Sequence, residues 1–213
     1  MSMIRILLGI CFLWASWTSG ASAQYGPPAK QLPNMTFRMS LNPSDVKASI
    51  ELVPMARLHG KPIALIYWKL HDQGSETELM AFQALSTIPL YKGKVQFISV
   101  VKASTSAEEK AAIDRARDLK ITIPLLLDRR QLASYLEAWF AFPRYGLVDK
   151  VGKLRIWHCK QLGEVVGPNM TFLKAIQLAA KGKKIPTMRG IAKPNNSYEL
   201  TGKKLPDVGL NDV

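Results

Sequence analysis

Gly60-Lys61-Pro62-Ile63-Ala64-Leu65-Ile66-Tyr67-Trp68 is the stretch on which the fold turns. The continuous apolar run after Pro62 is rich in β-formers and predicts a strand buried on both faces. His71 to Gly74 break it, and Ser75 to about Ile88 read as a helix with Leu79, Phe82 and Leu85 on one side. Val95 to Val101 is a second buried strand. Ser106 opens a helix through a capping box with Glu109, in which each side chain satisfies a free backbone N–H. Ala112, Ala116 and Leu119 mark its buried face. Ile123 to Leu127 is a short strand and Gln131 to Trp139 a short helix. Tyr145 to Val148 and Leu154 to Trp157 flank a turn in which Gly152 can take positive φ, the pattern of a β-hairpin. Leu173, Ile176 and Ala180 give the apolar face of a last helix ending near Gly182. Strands alternating with helices predict an α/β domain over residues 45–182. It would have a central mixed sheet, helices on both faces and a closing hairpin plus helix.

The flanks read differently. Gln24 to Ser44 holds Pro27, Pro28, Pro33 and Pro43 and predicts an extended lead-in. Residues 183–213 are polar, with Pro186, Pro194 and Pro206, and Ile191 to Val213 are expected to be largely disordered or draped on the surface. At the other end, Arg5, the short apolar run Ile6 to Trp17 and the small-x-small triplet Ala21-Ser22-Ala23 form a secretory signal. Cleavage would start the mature chain near Gln24 and make it periplasmic or secreted. No apolar run is long enough to span a bilayer. Asn34, Asn169 and Asn195 lie in glycosylation sequons, which matter only in a source that glycosylates exported proteins.

The 213-residue chain is 47% apolar, which excludes a disordered protein, and its two cysteines exclude a disulfide-dense scaffold. Its formal charge is +13, and loss of the signal removes one arginine and no acid, leaving +12. Such a charge favours acidic proteins, phosphate-bearing polymers or anionic membrane surfaces. No zinc-finger spacing, basic recognition helix or aromatic-basic repeat points to nucleic acid. Motifs for nucleotide binding, zinc proteolysis and serine hydrolysis are absent, and no cofactor is implied.

Three segments together carry a resemblance: Gly60 to Trp68; Ile123-Pro124-Leu125-Leu126-Leu127-Asp128; and Phe142-Pro143-Arg144-Tyr145-Gly146-Leu147-Val148-Asp149 with Gly152-Lys153. In order and spacing they resemble the thioredoxin superfamily, in particular its exported redoxin branch of peroxiredoxin-like and cytochrome-c-maturation thioredoxins. The resemblance implies a thioredoxin-like fold with Pro143 as the cis-proline facing an active loop. It also implies cysteines at the positions of Asp72 and Ser75, where this chain has a carboxylate and an alcohol. Neither can replace a thiolate in disulfide exchange. The peroxidatic cysteine of peroxiredoxins would fall in the same loop and is also missing. Fold is implied; the usual redox activity is not.

Other roles remain for these residues. Ser75-x-x-Glu78 reads as a second capping box, and Asp72, Glu76 and Glu78 complement the positive end of the helix. A groove lined by Trp68, His71, Asp72, Ser75, Phe142, Pro143 and Arg144 could hold an extended peptide by strand addition, with Arg144 drawing carboxylates. The first expectation is therefore a non-redox binding protein for an extended or acidic protein segment. The alternative is a one-cysteine thiol peroxidase or disulfide-exchange protein using Cys159, the only mature thiol. Strict strand alternation would set Arg155, Trp157 and Cys159 on one face and Leu154, Ile156 and His158 on the other, so His158 would not activate it. By the resemblance that strand also lies away from the active loop, and a half-buried structural cysteine is the plainer reading. A third reading has His71 handle a metal with methionines such as Met80.

Overall fold

The computed structural model describes residues 30–32, 34–129, 132, 142–159, 161–167, 170–185 and 187. The strands are β1 (Lys30–Gln31), β2 (Thr36–Ser40), β3 (Ile50–Pro54), β4 (Ile63–Trp68), β5 (Gln96–Lys102), β6 (Leu125–Asp128), β7 (Arg144–Val148), β8 (Lys153–Cys159), β9 (Val165–Gly167) and β10 (Met170–Thr171). The described α-helices are α1 (Gln73–Ser86), α2 (Ser106–Asp118) and α3 (Phe172–Ala180), and a 3-10 turn spans Met55–Leu58. Eight strands form one mixed sheet in the order β1-β8-β7-β4-β5-β6-β2-β3, and β9 and β10 form a separate ribbon.

All six side chains of β4 are buried, as its unbroken apolar run requires, and the strand sits in the sheet's interior between β7 and β5. β4, β5 and β6 are parallel to their neighbours in that run; β7 and β8 are antiparallel additions. The β7–β8 turn closes on Gly152 at φ +83°, and the Asp149 carboxylate accepts from the N–H groups of Val151 and Lys153. One face of the sheet packs on Leu79 and Phe82 of α1, Ala112 and Ala116 of α2, and Phe172 and Ile176 of α3. The opposite face is covered by Met55 and Leu58 of the 3-10 turn, by Leu32, and by the helical residue Leu132. The rest of the helix expected over 131–139 lies outside the described residues, as do the signal segment, the tail beyond residue 187, and Asn169 and Asn195.

Four local expectations change. The lead-in read over 24–44 contains β1 and β2, and β2 pairs with both β6 and β3, so a boundary at residue 45 cuts the sheet. Phe37 and Met39 do alternate with exposed or half-exposed residues, but the flanking prolines hid a five-residue strand. The α2 capping box is built one residue earlier, by Thr105 and Glu108, because Glu109 is buried between Arg38 and Arg129 (2.9 Å each). In α1 the cap is Asp72, not Ser75. Strict alternation along β8 fails too: the register with β7 slips twice, so Ile156 packs in one core while Leu154 and Trp157 pack in the other.

Chain direction gives the domain two distinct ends. β4, β5, β6 and β8 all run toward one end, and β7 starts there. The helices run back: α1 and α2 start after β4 and β5, and Phe172 at the head of α3 packs on Tyr145 at the start of β7 (ring centroids 5.4 Å). Every described α-helix therefore aims its N-terminus at the end where the 69–72 loop lies.

Candidate functional site

The segment from Lys69 to Glu76 is held by its own polar groups. Asp72 adopts extended backbone, and its Oδ1 accepts from Ser75 N–H (2.8 Å) while its carbonyl receives Glu76 N–H (2.9 Å). Ser75 is fully buried and its Oγ accepts from Lys69 N–H (2.9 Å). Glu76 is also buried. Its Oε1 takes His71 N–H (3.0 Å) and Arg115 Nε–H (2.8 Å), and its Oε2 takes Arg115 Nη2 (2.5 Å). The Arg115 hydrogen bond holds the Glu76 carboxyl below the usual range against the opposing effect of burial, and the same bond pushes the arginine up. His71 is exposed with φ +57°, left-handed backbone that its fixed N–H helps to hold.

The two positions where the resemblance implies cysteines thus have structural occupants. Ser75 and Glu78 do not form a capping box: Ser75 lies within the first turn, and Glu78 Oε2 accepts from Tyr145 O–H (2.6 Å). Arg115 and Tyr145 escaped the sequence reading because they lie 39 and 67 residues from their partners. No local spacing signals such pairs.

Across from the loop, the register of Tyr67 with Arg144 places Phe142 and Pro143 beside the end of β4, and the Phe142–Pro143 bond is cis. Phe142 is half-buried against Tyr67 (ring centroids 5.4 Å, tilted), and Arg144 is half-exposed. Tyr67 donates to Asp128 (2.8 Å). Burial and that carboxylate push the phenol far above its ordinary range, so it stays a neutral donor. The Asp128 carboxylate also receives Leu132 N–H (2.9 Å).

Of the expected groove residues, His71, Asp72, Phe142, Pro143 and Arg144 lie together at this end with some surface exposed. Trp68 does not line a groove, because it is fully buried in the core with Leu79 and Phe82. Ser75 is withdrawn for the same reason. Cys159 ends β8 opposite Tyr145, and Tyr145 faces Ile66 on its other side. The expectation that β8 lies away from the loop is thereby corrected for its last residue: β8 ends where β4 ends, roughly 10 Å away across two strand spacings. The side chains of His158 and Cys159 lie outside the described residues. Among the described residues no three His, Cys, Asp or Glu gather as a metal would need, and Met80 stands exposed on α1.

This sheet and helix arrangement recurs in solved proteins. A putative thiol:disulfide interchange protein DsbE from Chlorobium tepidum superposes with a TM-score of 0.52 at 15% identity, over 73% of this chain and 98% of that one. AhpC from Enterococcus faecalis gives 0.55 at 15%, over 85% and 99%. An uncharacterized conserved protein from Geobacillus kaustophilus gives 0.56 at 16%, over 78% and 89%. The chain has a thioredoxin-like fold, of the kind found in redoxins. No family model matches the sequence, and no curated protein matches it.

Proposed function

We propose that this is an exported, non-redox thioredoxin-fold protein that binds an extended or acidic protein segment at the groove between the His71–Asp72 turn and Phe142-Pro143-Arg144. The observation that carries the reading is the occupancy of the loop: a helix cap at Asp72 and a buried hydroxyl at Ser75 stand where the resemblance implies the thiols of exchange chemistry. Peptide binding by strand addition needs only backbone and shape. Among the described residues no strand pairs with Phe142 and Pro143 on the β8 side, since β8 ends opposite Tyr145. Arg144 at the mouth supplies a cation for a carboxylate-bearing segment.

Fluorescence anisotropy with labelled extended peptides tests this. Acidic peptides are expected to bind more tightly than neutral ones, and Arg144→Glu should weaken them at least tenfold, the loss expected of a hydrogen bond to a charged group, roughly 1.5–3 kcal/mol. Unchanged affinity in Arg144→Glu would remove the groove reading.

One observation keeps a second reading in play. The backbone of Cys159 ends its strand at the loop end of the sheet, and a cysteine at that position favours thiol chemistry as the alternative. Disulfide-reductase and thiol-peroxidase assays of the wild type beside Cys159→Ser separate the two. Turnover that vanishes with the cysteine makes the protein an enzyme; absence of turnover in both leaves binding.

A further inference from the structure

We propose that the end of the domain opposite the His71–Asp72 turn docks onto an anionic lipid bilayer. Four segments lie together at that end: residues 59–62 before β4, 87–95 before β5, 149–153 at the β7–β8 turn, and 181–185 with 187 after α3. By strand direction two others reach it, 41–49 between β2 and β3 and 119–124 before β6, and these hold Asp45, Lys47 and Lys120. Contacts tie the four together. Gly60 N–H donates to Lys150 carbonyl (2.9 Å), and Gln96 N–H donates to Pro62 carbonyl (2.9 Å). Arg155 joins the β7–β8 turn to the segment after α3, bonding Asp149 Oδ2 (2.7 Å) and Thr187 Oγ1 (2.8 Å).

These four segments hold eight lysines and one acid. Lys61 precedes β4, and Lys92 and Lys94 precede β5. Lys150 and Lys153 flank the hairpin tip, and the other three follow α3 at 181, 183 and 184. All eight are exposed, and none is in an ion pair among the described residues. The acid, Asp149, is already matched by Arg155. The α3 lysines, and Lys92 and Lys94 past the end of α1, also complement helix C-termini, but Lys61, Lys150 and Lys153 adjoin no described α-helix C-terminus.

Charge alone would fit any polyanion. The second feature is apolar: Val151, at the hairpin tip between Lys150 and Lys153, is 53% exposed, and Ile88, beside the exposed Pro89, is 39% exposed. Apolar tips ringed by lysines suit a surface that is anionic at its headgroups and hydrocarbon just below, as peripheral membrane proteins require. A nucleic acid would leave those tips unsatisfied. In this pose the strands stand on the bilayer and the groove faces away from it. The surface acts whether or not the groove holds a peptide.

Vesicle co-sedimentation of the full chain tests the proposal, comparing phosphatidylcholine with a mixture holding about 30% phosphatidylserine. The apolar run Ile6 to Trp17 enters both alike, so the ratio of partition coefficients reports the lysines. The expected result is a ratio of roughly a hundred or more at low salt, collapsing in about 0.5 M NaCl. Lys150→Ala/Lys153→Ala/Lys183→Ala/Lys184→Ala should bring it close to one, since about fivefold per lysine over four lysines exceeds a ratio of roughly a hundred. Should that variant fold poorly by circular dichroism, Lys92→Ala/Lys94→Ala should still lower it about 25-fold on the same scale. Val151→Ser should weaken binding roughly fivefold, and do so in high salt too. A wild-type ratio near one, an unchanged ratio in the lysine variants, or binding to a single-stranded oligonucleotide with no preference for phosphatidylserine would overturn the proposal.

Discussion

Asp72 shows how one side chain can decide both structure and chemistry. Its carboxylate caps α1 by accepting Ser75 N–H, a task open to Asp, Asn, Ser or Thr and poorly served by alanine. Asp72→Ala should therefore lower stability by about 1 kcal/mol in urea denaturation without lost secondary structure. Glu76 does more: it holds the His71 turn and neutralises Arg115 on α2. Its folded pKa lies below the unfolded value, so its contribution is complete above the ordinary glutamate range and is lost as pH falls through the folded value. Unfolding measured from neutral pH down to about pH 3 should show that loss, and Glu76→Gln should flatten it while lowering stability at neutral pH. Removing the partner instead, as in Arg115→Met, strands a buried carboxylate and should cost on the order of 2 kcal/mol.

Among the elements, the β4–β7–β8 group is the most tightly fitted. Gly146 lies in β7 where a Cβ would come within 2.7 Å of Trp157 Cε3 and 3.0 Å of Leu65 Cδ1. Both neighbours are buried, so neither can retreat into solvent. Gly146→Ala should destabilise by roughly 1–3 kcal/mol through overpacking, seen as a lower thermal midpoint with unchanged far-ultraviolet dichroism. The bulges in β8 explain how that strand feeds both cores. They put Leu154 and Ile156, two residues apart, on opposite faces, with Ile156 toward the helices and Leu154 beside Trp157 in the other core. Helix α1 is anchored from the sheet as well as by its cap, since Tyr145 donates to Glu78 on its second turn. Tyr145→Phe should cost about 1 kcal/mol or somewhat more, because the half-buried Glu78 carboxylate then loses a short bond.

At the scale of the whole molecule, the sheet cannot be divided where composition changes. Phe37 and Met39 are buried, and Arg38, Met39 and Ser40 form the ladder that closes β6. Removing residues 1–29 should leave the fold and its cooperative melt intact. Removing residues 1–44 should expose the apolar edge of β6 and give an aggregated or molten chain by light scattering and dye binding. The aligned helices add a second global property. Their N-termini gather Asp72, Glu76, Glu108 and Glu109 at the loop end, while their C-termini point toward the lysines of the other end. Side-chain charges and helix dipoles thus oppose one another favourably along the same axis.

The sequence by itself determined the order of the central elements from β4 through the β7–β8 hairpin to α3, and therefore the fold class, while β1, β2, β3 and the β9–β10 ribbon were not read from it. Gly60 to Trp68, Val95 to Val101 and the Asp149–Lys153 turn carry local signals, apolar runs and a positive-φ glycine, that leave little choice of structure. The resemblance, not a local signal, implied that Pro143 faces the loop after the first core strand, and the β4–β7 register sets it there. Tertiary structure decided which groove residues are reachable: Trp68 reads as a strand-end aromatic, yet the packing of α1 over it buries it completely. It paired Glu76 with Arg115 and Glu78 with Tyr145, contacts that rest on where α2 and β7 fall in space. It drew β2 into the sheet and carried Cys159 to the loop end through strand direction and register. Local patterning is encoded within a few residues of each position, whereas burial, ion pairing and register depend on neighbours that folding brings from dozens of residues away.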